Sequence, residues 1–139
     1  MISEDSRGQG FKDSSEMLKN YKELKGWQKS YQLCLEIYRV TAKFPKEELH
    51  GLTSQIRRSA GSISSNIAEG YGRKTTLDYI RMFYISYGSV CELETQILLA
   101  ENLGFIEKGE LGRLIKDIAE VERMLMALIK SLENKPLNP

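Results

Sequence analysis

Proline is scarce in this chain of 139 residues, and its placement says more than its number. The three prolines are Pro45, Pro136 and Pro139, so nothing from Lys46 to Lys135 lacks a backbone N–H. That argues against a fold of strands and turns and for long helices. Histidine occurs once, at His50 in a polar connection, which leaves no Glu-x-x-His pair for a di-metal bundle. The two cysteines, Cys34 and Cys91, have no CxxC partner and fall in apolar helical patterns, so both are expected as buried, reduced thiols. No P-loop, GxSxG or nucleophile–base constellation is present. No apolar run approaches the roughly 20 residues of a membrane span, and Met1–Asn20 lacks the apolar centre of a secretory signal. The expectation is a cytoplasmic protein that is not an enzyme, with no cofactor, no metal and no membrane partner.

What is present is helical periodicity. Residues 1–24 are read as a flexible extension that partly joins a first helix, whose firm part is Gly26–Lys43. That helix carries two apolar stripes, Trp27, Tyr31, Cys34, Tyr38 and Thr41 beside Leu33, Ile37, Val40 and Phe44. A second helix is expected over Leu52–Glu69, capped by Thr53 or Ser54, with Leu52, Ile56, Ala60, Ile63 and Ile67 as its core stripe. Its small residues, Ser54, Gly61, Ser64 and Ala68, predict a close helix neighbour, and Gly70 and Gly72 a left-handed exit. A third helix over Thr76–Leu103 places Ile80, Phe83, Tyr84, Tyr87, Val90, Cys91, Ile97 and Leu98 on one arc, with Glu94 and Glu101 inside it. Ile85, Leu99 and Leu103 lie on another side, which predicts burial by a second subunit. The fourth helix, Lys108–Glu133, has an unbroken core stripe from Leu111 to Leu132, followed by a tail at 134–139. The fold class is all-α, an antiparallel up-down four-helix bundle over residues 25–133.

The formal net charge of +1 hides an asymmetry. Residues 25–91 carry ten Lys/Arg against five Asp/Glu, and residues 92–139 six against nine. A basic half fits an RNA footprint, or pairing of subunits and helices with one another. Arg58, Arg73, Lys74 and Arg81 are the candidate phosphate-binding residues. Arg57 lies on the small face, so it is the candidate for assembly or for an ion pair with Glu94, Glu101 or Glu69. Asn66 and Glu69 are expected to organise the turn that follows them. Tyr31, Tyr38, Tyr84 and Tyr87 lie at core spacing and are expected to pack inside rather than to stack on bases.

The stretch GLTSQIRRSAGSISSNIAEGYGR (Gly51–Arg73), followed by SYGSVCELETQILLAENLGF (Ser86–Phe105), resembles the bacterial four-helix-bundle family of 23S rRNA intervening-sequence proteins. Trp27, Ile37-Tyr38 and Phe44-Pro45 stand where that family keeps an aromatic, an IY pair and an FP stop. The resemblance implies a bundle that assembles as a ring-like homopentamer, and no established activity. The family name records genes that lie within insertions in ribosomal RNA genes. A more distant similarity connects the family to the accessory protein of diversity-generating retroelements, a basic pentamer that binds nucleic acid and a reverse transcriptase. By that analogy the partners are further copies of the chain, RNA or single-stranded DNA, and a reverse transcriptase. This chain is much less basic, and Ser64 replaces the proline of the family's SIPSNIAEG run. The alternative is a protein-interaction scaffold whose charges serve subunit assembly, with no nucleic-acid binding.

Overall fold

Apolar residues spaced three and four apart bring their side chains onto one face, and that face is stable only against another like it. In the computed structural model, which describes residues 20–134, four helices meet this condition. They are α1 (Lys25–Thr41), α2 (Leu52–Tyr71), α3 (Thr76–Asn102) and α4 (Lys108–Glu133). Each packs against its neighbours in sequence, and α4 closes back on α1. Ile37, Ile56, Ile63, Ile67, Phe83, Leu93, Ile97, Ile118, Leu125 and Ile129 fill the centre with no measurable exposure. No strand occurs among the described residues, and none of their helices is long and apolar enough to cross a membrane.

The chain joins the bundle before α1. A 3₁₀ turn at Tyr21–Glu23, capped by the Asn20 side chain, leads into a buried Leu24. Tyr21 then meets Trp27 edge-on, with ring centroids 5.4 Å apart. Most of the extension expected at 1–24 and the tail from 135 onwards lie outside the described residues.

The helix ends differ from expectation. Neither Thr53 nor Ser54 caps α2, because both lie within the helix, and Thr53 is buried. The 3₁₀ turn Lys46–Glu48 instead aims the Glu48 carboxylate at the helix start, where it accepts from the Leu52 N–H at 3.1 Å. Thr75 caps α3 by accepting from the Asp78 N–H at 3.1 Å. Gly104, at φ 84°, closes α3 with Phe105 N–H donating to the Ala100 carbonyl and its own N–H donating to that of Glu101. This left-handed exit needs glycine. Gly72, by contrast, has φ −83°, so α2 leaves without a left-handed residue.

The closest helix approach is between α2 and α3, off the predicted small face. Ser86 donates to the Ile63 carbonyl at 2.8 Å, and the Ser89 and Ser62 hydroxyls lie 2.9 Å apart. At the far end, a Cβ on Gly70 would stand 2.9 Å from that of Met82 and 3.4 Å from the Phe83 ring. Of the predicted set, Ser64 is buried and Ala68 half-buried, whereas Ser54 is exposed and Gly61 makes only ordinary contact with Cys34.

This seam sets the rotation of α3. Met82, Phe83, Ser86, Ser89, Val90, Leu93, Ile97 and Ala100 face inward, so the true core arc is turned away from the expected one. Tyr84, Cys91 and Leu98, placed in the core from their spacing, are exposed. Serines whose hydroxyls are satisfied across the seam can occupy core positions that a hydrophobicity pattern reserves for large side chains. The expected second apolar side of α3, at Ile85, Leu99 and Leu103, is uncovered as well.

Gly70→Ala should therefore lower stability by about 1–3 kcal/mol through overpacking. Gly112→Ala, on an open surface of α4 with nothing within 4 Å, should raise it by about 0.5–1 kcal/mol. Urea unfolding at one protein concentration checks both.

Candidate nucleic-acid interface

The candidate cations fall into two places. Arg73, Lys74 and Arg81 gather around the short connection between α2 and α3, and all three are exposed. Arg58 sits in the second turn of α2, roughly 20 Å away along the helix axis at 1.5 Å per residue. It shares an outward seam with Gln55, Ser62, Ser65 and Glu69. Arg73 is already engaged: its guanidinium meets the Glu69 carboxylate at 2.5 Å, four residues back in the last turn of α2. Arg58, Lys74 and Arg81 have no carboxylate within 4 Å among the described residues.

Arg57 does something different from its expected pairing. Its Nε donates to the Thr41 hydroxyl at 2.8 Å, a second nitrogen reaches the Tyr38 carbonyl at 3.4 Å, and its guanidinium lies 4.5 Å over the Tyr38 ring. The Thr41 hydroxyl in turn donates a hydrogen bond to the Ile37 carbonyl at 2.7 Å. Arg57 thus ties α2 to α1. Glu94 and Glu101 are half-exposed and have no cation partner among the described residues, because the rotation of α3 leaves both at the edge of the core, where water reaches them. The predicted in-chain ion pair is not formed.

Three cations elsewhere are matched. Along the α1–α4 edge, Lys43 bonds Glu110 at 2.7 Å, Arg39 pairs with Glu36 and approaches Glu110 at 3.6 Å, and Lys29 meets Glu120 at 3.1 Å. The Lys43 hydrogen bond holds the Glu110 carboxyl below the ordinary carboxylate range, and that of Arg39 does the same for Glu36. The groove on this edge has a volume of about 120 Å³, well under the roughly 300–1,000 Å³ of ordinary ligand sites. Among the described residues no group of His, Cys, Asp or Glu is placed to hold a metal.

The tyrosines depart from their predicted burial. Tyr31, Tyr38 and Tyr84 are 44%, 48% and 43% exposed. Tyr84 donates to Glu133 and Tyr87 to Glu122 on α4, and these carboxylates push both phenols up. Tyr31 stacks on Trp27, centroids 4.9 Å apart with 16° between planes, on the outer side of α1. The signal for this was the offset between the two stripes of α1: Leu33, Ile37 and Val40 take the core, which leaves the aromatic stripe at its border.

The sequence profile of the 23S rRNA-intervening sequence protein family matches residues 22–127. The chain belongs to that family. For this family member the fold also resembles a solved one, the crystal structure of a protein of unknown function from the S23 ribosomal protein family of Bacteroides thetaiotaomicron. The two are 24% identical, with a TM-score of 0.71, over 76% of this chain and 95% of that one. No curated protein matches the chain.

Arg57→Ala should lower stability by about 1–2 kcal/mol, the scale of a charge-assisted hydrogen bond plus a cation–π contact. Arg57→Lys should recover little, since an ammonium lacks the planar fork that spans both acceptors. An unchanged urea midpoint for Arg57→Ala would contradict the tie between α1 and α2.

Proposed function

We propose that this protein is a non-enzymatic helical bundle that assembles as a ring-like homopentamer and binds RNA through its exposed cations. The observation that carries the RNA reading is a set of exposed cations on α2, α3 and their connection that have no carboxylate partner among the described residues. Arg58, Lys74 and Arg81 project to solvent with no carboxylate in reach among the described residues, as do several cations of α4, whereas Lys29, Arg39 and Lys43 of the α1–α4 edge are paired. Unmatched guanidinium and ammonium groups bind phosphates and release condensed counterions. Arg73 adds to the cluster only where a phosphate displaces Glu69. Self-association draws support from α3, whose outer surface carries Leu77, Tyr84, Leu98, Leu99 and Leu103 at 43–67% exposure. A ring requires that this face meet a different surface on the next subunit.

A second reading, a scaffold without nucleic acid, is favoured by one observation. Glu92, Glu94 and Glu101 lie on α3 without cation partners among the described residues, and so offer Arg58 or Arg81 of a neighbouring copy an ion pair.

Fluorescence anisotropy with a labelled structured RNA, taken from about 50 to 200 mM salt, separates the two. Under the RNA reading, replacing Arg58, Lys74 and Arg81 together by Ala weakens binding for all sequences. It should also flatten the log–log salt slope by about 2–3, at ~0.9 for each phosphate no longer neutralised, with molar mass unchanged. Absence of binding at the lowest salt would overturn the RNA reading. Collapse of the triple variant to monomers would favour the scaffold.

A further inference from the structure

We infer that the outer edge between α1 and α2 is a stacking surface for the unpaired bases of single-stranded RNA, with Tyr31 and Tyr38 as platforms, Arg57 as the cation beside them and Arg58 farther round the outward face of α2. This rests on the proposed RNA binding and specifies the strand and the site. Trp27, Tyr31 and Tyr38 follow one another along α1 at four- and seven-residue steps, which places them on one stripe about 16 Å long. Trp27 backs Tyr31 as a parallel stack, and Arg57 holds Tyr38 from the α2 side. Two aromatic rings are thus fixed from behind and still nearly half exposed. Leu35, 50% exposed, continues the apolar surface between them.

Charge decides what fits this edge. α1 contains one carboxylate, Glu36, and α2 contains one, Glu69. Glu36 is taken by Arg39 towards α4, and Glu69 by Arg73 at the far end of α2. Among the described residues Arg57 is bound to a ring, a hydroxyl and a carbonyl, and Arg58, farther round the outward face of α2, has no acidic partner. The edge is therefore aromatic and cationic, with both carboxylates of its helices engaged elsewhere. An apolar partner helix would cover the Arg57 guanidinium without a counter-charge, whereas a strand with unpaired bases offers ring faces and phosphates together. A duplex keeps its bases stacked inside and cannot present them here.

The chain's single tryptophan reports on this edge directly. The wild-type protein is titrated with a labelled oligouridine of about sixteen nucleotides and with an RNA duplex of equal length, reading Trp27 emission and label anisotropy together. The expected result is Trp27 quenching that saturates with the anisotropy for the single strand, and no quenching by the duplex. Tyr31→Ala and Tyr38→Ala should each weaken single-strand binding about ten-fold, while the Phe variants retain it. Anisotropy without quenching, and with Tyr38→Ala at wild-type affinity, would overturn this site and leave RNA binding standing elsewhere. No anisotropy change with any RNA would overturn both. Equal quenching by DNA of matching sequence would keep the stacking site but overturn the choice of RNA. Dissociation of the oligomer by Tyr38→Ala would make the edge a subunit interface and overturn the proposal.

Discussion

The contact between α2 and α3 governs the rest of the molecule. Ser86 and Ser89 hydrogen-bond into α2, and Gly70 lets Met82 approach more closely than any side chain would allow. Hydroxyls satisfied in this way cost little to bury, whereas unpaired they would each cost about 1–3 kcal/mol. With both ends of the seam fixed, α3 cannot roll. Its inward arc is Phe83, Val90, Leu93 and Ile97, and its outward stripe is Leu77, Tyr84, Cys91 and Leu98 at seven-residue steps. An apolar stripe of that length on one helix is the feature a single chain leaves unburied.

The distribution of charge follows from the same arrangement. Because the α1–α4 edge lies opposite the seam, it is closed by ion pairs between Lys29, Arg39 or Lys43 and acids of α4 or α1. These pairs are exposed and contribute modestly. Their main effect is to remove that edge from competition for an anionic partner. The α1–α2 edge has its two carboxylates engaged elsewhere and keeps Arg57 against the exposed Tyr38 ring.

Much of the fold was legible. The Leu52, Ile56, Ala60, Ile63 and Ile67 stripe of α2 and the α4 stripe run as their spacing predicts, because large aliphatic residues at three- and four-residue steps have one way to be buried. The rotation of α3 was not legible. Tyr84, Cys91 and Leu98 compete with Ser86, Ser89 and Leu93 for the core, and the serines win only through acceptors on another helix. The exposure of Glu94, Glu101, Tyr84 and Tyr87 follows from that one rotation. Of the candidate site, Arg58, Lys74 and Arg81 are exposed, as a phosphate-binding residue must be. The role of Arg57 depended on Tyr38 and Thr41 from a different helix, which spacing along α2 does not encode.

The α2–α3 seam turns an apolar face of α3 outward, and the proposed homopentamer requires another copy of the chain to cover it. Light scattering coupled to size exclusion tests it most directly. A homopentamer of the 15.9 kDa chain predicts a molar mass near 80 kDa, falling to that of one chain when Leu98→Glu puts a carboxylate on the stripe. A wild-type protein that elutes as a monomer at micromolar concentration, with its fold intact, would contradict the account.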